Sequence, residues 1–156
     1  MARLRLVPAA GEHLAFLAPR LRDADVQELR ASMGGGMTLL AILQQSVAIS
    51  EECWVATTQT GEPVAVFGVA PIAQAAGHAA PWMLGTDTLA LHGRDIVQLG
   101  KRFAGEWNAR HAHLLNFVDA RNTRSIAWLR HSGYSIRPAH PHGVNRELFH
   151  LFERCA

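Results

Sequence analysis

Charged and apolar residues alternate from Arg3 to Val7, with Leu4 and Leu6 on one face, and Pro8 ends the run. That is the pattern of a first strand. Gly11 to Leu21 and Ala24 to Ser32 show helical spacing, broken by Pro19 and by Asp23, a candidate N-cap. After the hinge Gly34-Gly35-Gly36, Thr38 can cap a helix carrying Leu39, Leu40, Ile42, Leu43, Val47 and Ile49.

The period then shortens to two. Cys53–Thr58 and Val64–Ala70 read as strands joined by the turn residues Thr60-Gly61-Glu62-Pro63, an antiparallel hairpin. The second is apolar on both faces, which marks a central strand. Trp82–Thr86 is a third strand. From Arg94 to Arg110, Ile96, Leu99, Phe103, Ala104 and Trp107 keep to one face of a helix. His113–Val118 is a strand, and Thr123–His131 a short helix with Gly133 as its left-handed C-terminal cap. Tyr134–Arg137 and Leu148–Cys155 complete the strands, separated by a Pro/His/Gly loop from Pro138 to Gly143. With the broken 11–32 stretch counted as one helical unit, the order is β-α-α-β-β-β-α-β-α-β-β. It predicts an α/β or α+β fold: a mixed central sheet of about seven strands in a single domain, 1–156, with helices on both faces.

Composition narrows the function classes. The 156 residues are 49% hydrophobic and 18% charged, enough for one buried core and unlike a disordered chain. Lys+Arg total 15 against Asp+Glu 13, a net charge of +2, too small for wrapping nucleic acid. Arg121, Arg124, Arg130 and Arg137 read as a solvated face or as contacts for a phosphate or acidic partner. Cys53 and Cys155 are expected to be reduced thiols. Met1–Arg5 lacks an apolar secretion-signal core, and the apolar stretch 64–76 is too short to span a bilayer. The expectation is a soluble cytoplasmic protein without a membrane partner.

One motif is more specific: Asn116-x-Val118-x-x-x-Asn122-x-x-Ser125-Ile126-x-Trp128-Leu129-x-x-x-Gly133-Tyr134. With the element order, it resembles the GCN5-related N-acetyltransferase (GNAT) superfamily, where a strand is followed by Asn, Ala-Ile and, after a helix of this length, Gly-Phe. Trp82-Met83-Leu84-Gly85-Thr86-Asp87 and Val118-Asp119-Ala120-Arg121-Asn122 look more particularly like GNAT-like proteins of tailed bacteriophages, some named for a role in the virion. The resemblance implies acetyl-CoA as cofactor and a small-molecule or protein amine as acceptor. For the phage variety it implies structural proteins as partners and location in the host cytoplasm or the virion. A homodimer is compatible with either.

The resemblance also implies a site. Two parallel strands, 82–86 and 113–118, splay apart so that backbone near Leu84 and Asn116 can pair with the pantetheine arm, with Asn122 and Ser125 at the head of the following helix. The amides at the start of the 94–110 helix face the pyrophosphate. Family members write that loop with glycines. Here it is Thr88-Leu89-Ala90-Leu91-His92-Gly93, and only Gly93 matches. Leu91 sets a side chain against the phosphates, and Asp95 would repel them or satisfy the helix terminus instead, while Arg94 could offset it. The cofactor-binding candidates are therefore Leu84, Thr88, His92, Gly93, Arg94, Asn116, Asn122 and Ser125.

Acetyl transfer needs a base for the amine and an acid for the departing thiolate. Asp87, His92 and Asp119 are the candidate bases, though His92 could be a cap and Asp87 or Asp119 could order turns. The position where many family members carry an acidic Tyr is Leu129, and Tyr134 reads as packing. His111/His113 and His140/His142 lack the spacing and companions of a zinc set, so no metal is expected. Two readings stay open: an acetyl-CoA-dependent N-acyltransferase, or a scaffold that keeps the fold without the reaction and serves a phage virion or its assembly.

Overall fold

The computed structural model describes residues 3–156; Met1 and Ala2, the start of the segment read for a secretion signal, lie outside the described residues. Seven strands form one mixed sheet in the order β1-β2-β3-β4-β5-β7-β6. They are β1 Arg5–Pro8, β2 Glu52–Thr57, β3 Pro63–Pro71, β4 His78–Gly85, β5 His113–Asp119, β6 Ser135–His142 and β7 Glu147–Cys155. β3 lies between β2 and β4 and is buried along most of its length, as its two-faced apolarity requires. The α/β sheet with helices on both faces is as the sequence predicts.

Alternation along the strands sorts the helices between the faces. Val55, Val66 and Leu84 pack under α1 (Gly11–Leu17), α2 (Asp23–Met33) and α3 (Leu39–Ile49). Ala56, Phe67, Leu114, Val118 and Phe152 pack under α4 (Gly93–Arg110) and α5 (Thr123–His131). The helices read at Gly11–Leu21, at Ala24–Ser32 and after Thr38 are these three, the first of them ending early, at Leu17. Pro19 turns the chain through a 3-10 stretch at Ala18–Arg20, and Arg22, not Asp23, stands at the N-cap of α2. Thr38 does cap α3, its hydroxyl accepting from the Ala41 amide at 3.1 Å. Gly133, at φ +100°, ends α5 in the left-handed region that only glycine enters at little cost.

Three further boundaries differ from the pattern. β4 starts four residues earlier than its apolar run suggests, because its first residues pair with β3 through Pro71. A 3-10 stretch, Asp87–His92, fills what looks like a loop before α4. The loop read at Pro138–Gly143 is mostly strand: β6 is the sheet's last strand, where a proline without an N–H does no harm, and the register slips between Ile136 and Ala139 to admit Pro138. Among the described residues no helix is long and apolar enough to cross a membrane, and both cysteines are free.

Candidate active site

β4 and β5 run parallel but pair only at His78↔His113 and Ala79↔Leu114, then part. Which backbone groups face the gap follows from strand parity. The Thr86 amide bonds to Val64 O at 2.9 Å, so the even residues of β4 address β3. The odd residues address β5. Pro81 O accepts from Asn116 Nδ2 (3.0 Å), the Gly85 amide donates to Asp25 Oδ2 (2.9 Å), and Gly85 O accepts from the Arg22 amide (2.8 Å). Met83 stands between them with the same parity, so its N–H and C=O point into the gap. Asn116 also accepts from the Phe117 amide at 2.8 Å, so one side chain ties the two strands where they begin to part. Asn116→Ala would leave Pro81 O and the Phe117 amide without these partners. It is expected to lower stability by about 1–2 kcal/mol in urea unfolding.

A cavity of about 360 Å³ occupies the gap and is lined from both faces of the sheet. On the α4/α5 side it is lined by Leu99, Gly100, Trp128, Ser132 and Tyr134; on the α2/α3 side by Glu28, Leu29, Ile49, Phe117 and His142. α4 and α5 approach closely there, because a Cβ on Gly100 would fall 2.2 Å from Ser132 Oγ.

α2 gives this cavity its two carboxylates, Asp25 and Glu28. With Arg22 at the N-cap they recur at three-residue spacing and so lie along one side of the helix. The buried Arg22–Asp25 pair is doubly bonded, at 2.6 and 3.1 Å. Arg22 also donates to Ser125 Oγ (2.9 Å), and its guanidinium lies 5.1 Å above the Trp128 ring. The remaining lone pairs of Asp25 meet the Gly85 amide and, at 3.5 Å, Asn122 Nδ2, which is the set of partners a buried pair requires. Among the described residues Glu28 has no ion-pair partner. Its Oε1 accepts from the Asp119 amide (2.7 Å) and Asn122 Nδ2 (3.4 Å). Burial raises its pKa to about 7; the Asp119 amide and Asn122 partly offset this, and the charges of Asp25 and Asp119 add to it.

The residues singled out from sequence divide into groups. Leu84, Asn116 and Ser125 line the cavity. The even parity of Leu84 turns its backbone to β3, so Met83 carries the edge groups expected of it. Asn122 and Asp119 stand one layer behind and hold Glu28. Asn122 also caps α5, accepting from the Ser125 amide at 3.4 Å. Asp119 is buried with both oxygens bonded to Arg121, whose backbone amide it also accepts, the turn-ordering role. Burial raises its pKa, but the hydrogen bonds and charge of Arg121 outweigh that and hold the carboxyl below its ordinary range.

Asp87 and Thr88 line a different, shallow depression with Phe16 and Arg20. His92, Gly93 and Arg94 form the start of α4, and the His92 side chain makes no capping bond. Leu91 is 61% exposed, its side chain turned to solvent. Asp95 neither caps α4 nor stands free, because its Oδ2 accepts from the Leu4 amide at 2.7 Å. One group of potential metal donors, His113, Glu153 and Cys155, sits at the far end of β5 and β7, where His113 and Arg137 already share the Glu153 carboxylate.

Sequence reasoning missed Glu28, Arg22 and Asp25, and it took Tyr134 for packing alone. Tyr134 does pack edge-on against Phe152, centroids 5.2 Å apart, but it also lines the cavity. Burial pushes the pKa of its hydroxyl well up.

Neither protein-family models nor curated protein sequences match the chain. Solved structures do. A ribosomal-protein-alanine N-acetyltransferase from Brucella melitensis superposes with a TM-score of 0.74 at 17% identity, covering 98% of this chain and 100% of that one. Aminoglycoside acetyltransferase AAC(6')-Ib, in complex with ribostamycin and coenzyme A, gives 0.71 at 13% identity over 98% and 93%. A GNAT superfamily phosphinothricin acetyltransferase from Sinorhizobium meliloti, in complex with acetyl-CoA, gives 0.70 at 13% identity over 97% and 88%. At these identities the likeness is one of fold: the chain has the GNAT architecture.

Proposed function

We propose that this chain is an N-acetyltransferase that uses acetyl-CoA and an amine acceptor. The observation that carries this reading is the cavity through the β4/β5 gap, with the carboxyl of Glu28, poised near neutrality, on its α2 wall. The cofactor fits the residues present. The Met83 N–H and C=O would pair with an extended pantetheine chain, Trp128 and Leu99 would cover it, and the amides opening α4 with the exposed Arg94 would meet the phosphates. Acetyl-CoA supplies the activated acetyl thioester. Glu28 takes the proton of the acceptor amine, since a group titrating near 7 is both free to accept and basic enough to act. Tyr134 keeps its proton for the leaving sulfur, as its buried phenol stays neutral at any working pH. Of the bases weighed from sequence, Asp119 is the less apt because Arg121 saturates it, and Asp87 lies in the other depression.

Calorimetric titration with acetyl-CoA tests the first step, and release of free thiol in the presence of amines tests the second; no heat at millimolar acetyl-CoA would overturn the reading. Tyr134→Phe is expected to lower kcat by about 100-fold or more while leaving the acetyl-CoA affinity within about twofold, read by steady-state kinetics beside calorimetry.

A second reading rests on the start of α4. A 3-10 stretch replaces the glycine loop there, and Asp95 adds a carboxylate to the first turn. On this reading the protein is a scaffold without the reaction, with a role in a phage virion or its assembly. The same titration separates the two.

A further inference from the structure

The α2/α3 mouth of the cavity carries chemistry that the transfer reaction does not require. Phe117, on β5, is 40% exposed and lies flat against the His142 ring of β6, with centroids 3.8 Å apart and planes 13° from parallel. His142 in turn meets the edge of Phe149 at 5.3 Å. Ile49, 60% exposed on α3, and Leu29 on α2 line the same mouth. An aromatic shelf and two aliphatic side chains thus share one mouth of the cavity, with Phe117 and Ile49 exposed to water, the kind of apolar grouping in a groove that marks a ligand site.

The charge inventory of the cavity is as specific. Its lining includes two carboxylates, Asp25 and Glu28, and no Lys or Arg. Asp25 is neutralised by Arg22, which leaves Glu28 as one anionic site. A ligand carrying several ammonium groups would have to leave all but one without a counter-charge, at heavy desolvation cost. Ribostamycin, bound by the structural neighbour described above, has that character.

We infer that the acceptor is a monoamine carrying an aromatic body, of the 2-phenylethylamine type, with its ring between the Phe117–His142 shelf and Ile49 and its amino group at Glu28. This rests on the acetyl-transfer reading for its consequence but not for its test, because amine binding can be measured without acetyl-CoA. Offset-stacked or edge-on packing on the shelf supplies the preference for an arene over an alkyl chain.

The experiment is a titration of the protein alone with 2-phenylethylamine, with spermidine in parallel, followed by tryptophan emission, since Trp82 lines the cavity. The expected result is saturable binding of 2-phenylethylamine and at least about tenfold weaker response to spermidine. Phe117→Ala should weaken aryl-amine binding about tenfold, the scale of one lost aromatic contact, whereas Leu148→Ala, an exposed residue outside the cavity lining, should leave it unchanged. Equal or tighter binding of spermidine overturns the inference. So does an aryl-amine affinity indifferent to Phe117, or no aryl-amine binding at all. Failure of acetyl-CoA to bind in its separate titration counts against the transfer reaction, and the amine titration reports independently of it.

Discussion

Glu28→Gln is expected to cut acetyl transfer at pH 7.5 by at least about 100-fold, the usual contribution of a positioned general base, with acetyl-CoA binding retained. In wild type the pH–rate profile should rise through about pH 7 as Glu28 ionises, and the variant should lose that limb. The same substitution makes a stability prediction with a definite sign. Burial raises the folded-state pKa of Glu28 from 4.5 to about 7, so between these values the native state holds a proton that the unfolded chain has released. Stability from this group is therefore full below pH 4.5 and is lost as pH rises through 7. At about 1.4 kcal/mol per pH unit, the loss across the window is about 3 kcal/mol. Gln has no such titration. The Tm difference, variant minus wild type, should grow from pH 4.5 to pH 7.5 in favour of the variant. A variant that is more stable and inactive at neutral pH marks a carboxylate kept for chemistry; equal pH trends in the two proteins would contradict the assignment.

Gly68→Val should be the most damaging single change to the fold. Gly68 lies mid-β3, opposite Cys53 on β2 and Trp82 on β4. A Cβ there would fall 2.5 Å from the Glu52 carbonyl oxygen and 3.3 Å from both Cys53 Cα and Trp82 Nε1. The first two obstacles are backbone, so no rotamer change relieves them, and β2 must shift away from β3. The third disturbs the indole that donates to Ser50 Oγ at 2.8 Å. A loss of about 3 kcal/mol or more is expected from the urea midpoint, at the upper end for overpacking and a large part of a typical domain's stability. Gly105→Ala is the control. Gly105 lies within α4, and a methyl added there would meet nothing within 4 Å, so this change should stabilise by about 0.5–1 kcal/mol.

The fold is legible in the sequence wherever one local rule governs an element. α5 runs over the residues its cap and its glycine define, and β3 announces its central place by being apolar on both faces. β6 departs from its pattern because proline signals a loop in most settings, and only its position at the sheet's edge makes proline acceptable in a strand. The site is legible where a local motif carries it. Asn122, Asp119 and Ser125 belong to recognisable strings, but the Glu28 that Asn122 and the Asp119 amide hold comes from a helix almost a hundred residues away in sequence. A signal for it exists: Arg22, Asp25 and Glu28 fall on the same helical stripe as Leu29 and Ser32, an unusual charge content for a side that meets the sheet. Reading Asp87 as a base assumes that the chain leaving β4 stays beside the gap, and the 3-10 stretch carries it elsewhere.

The prolines of β6 have a consequence for life in a crowded cell. Pro138 and Pro141 leave the last strand two N–H donors short, Pro138 stands where its register slips, and at the opposite rim β1 is only four residues long. Neither rim can template a long added strand, so copies brought together at high concentration have little backbone to zip along. The sheet is finished at both ends, and the chain should stay dispersed where a sheet with open rims would begin to form fibres.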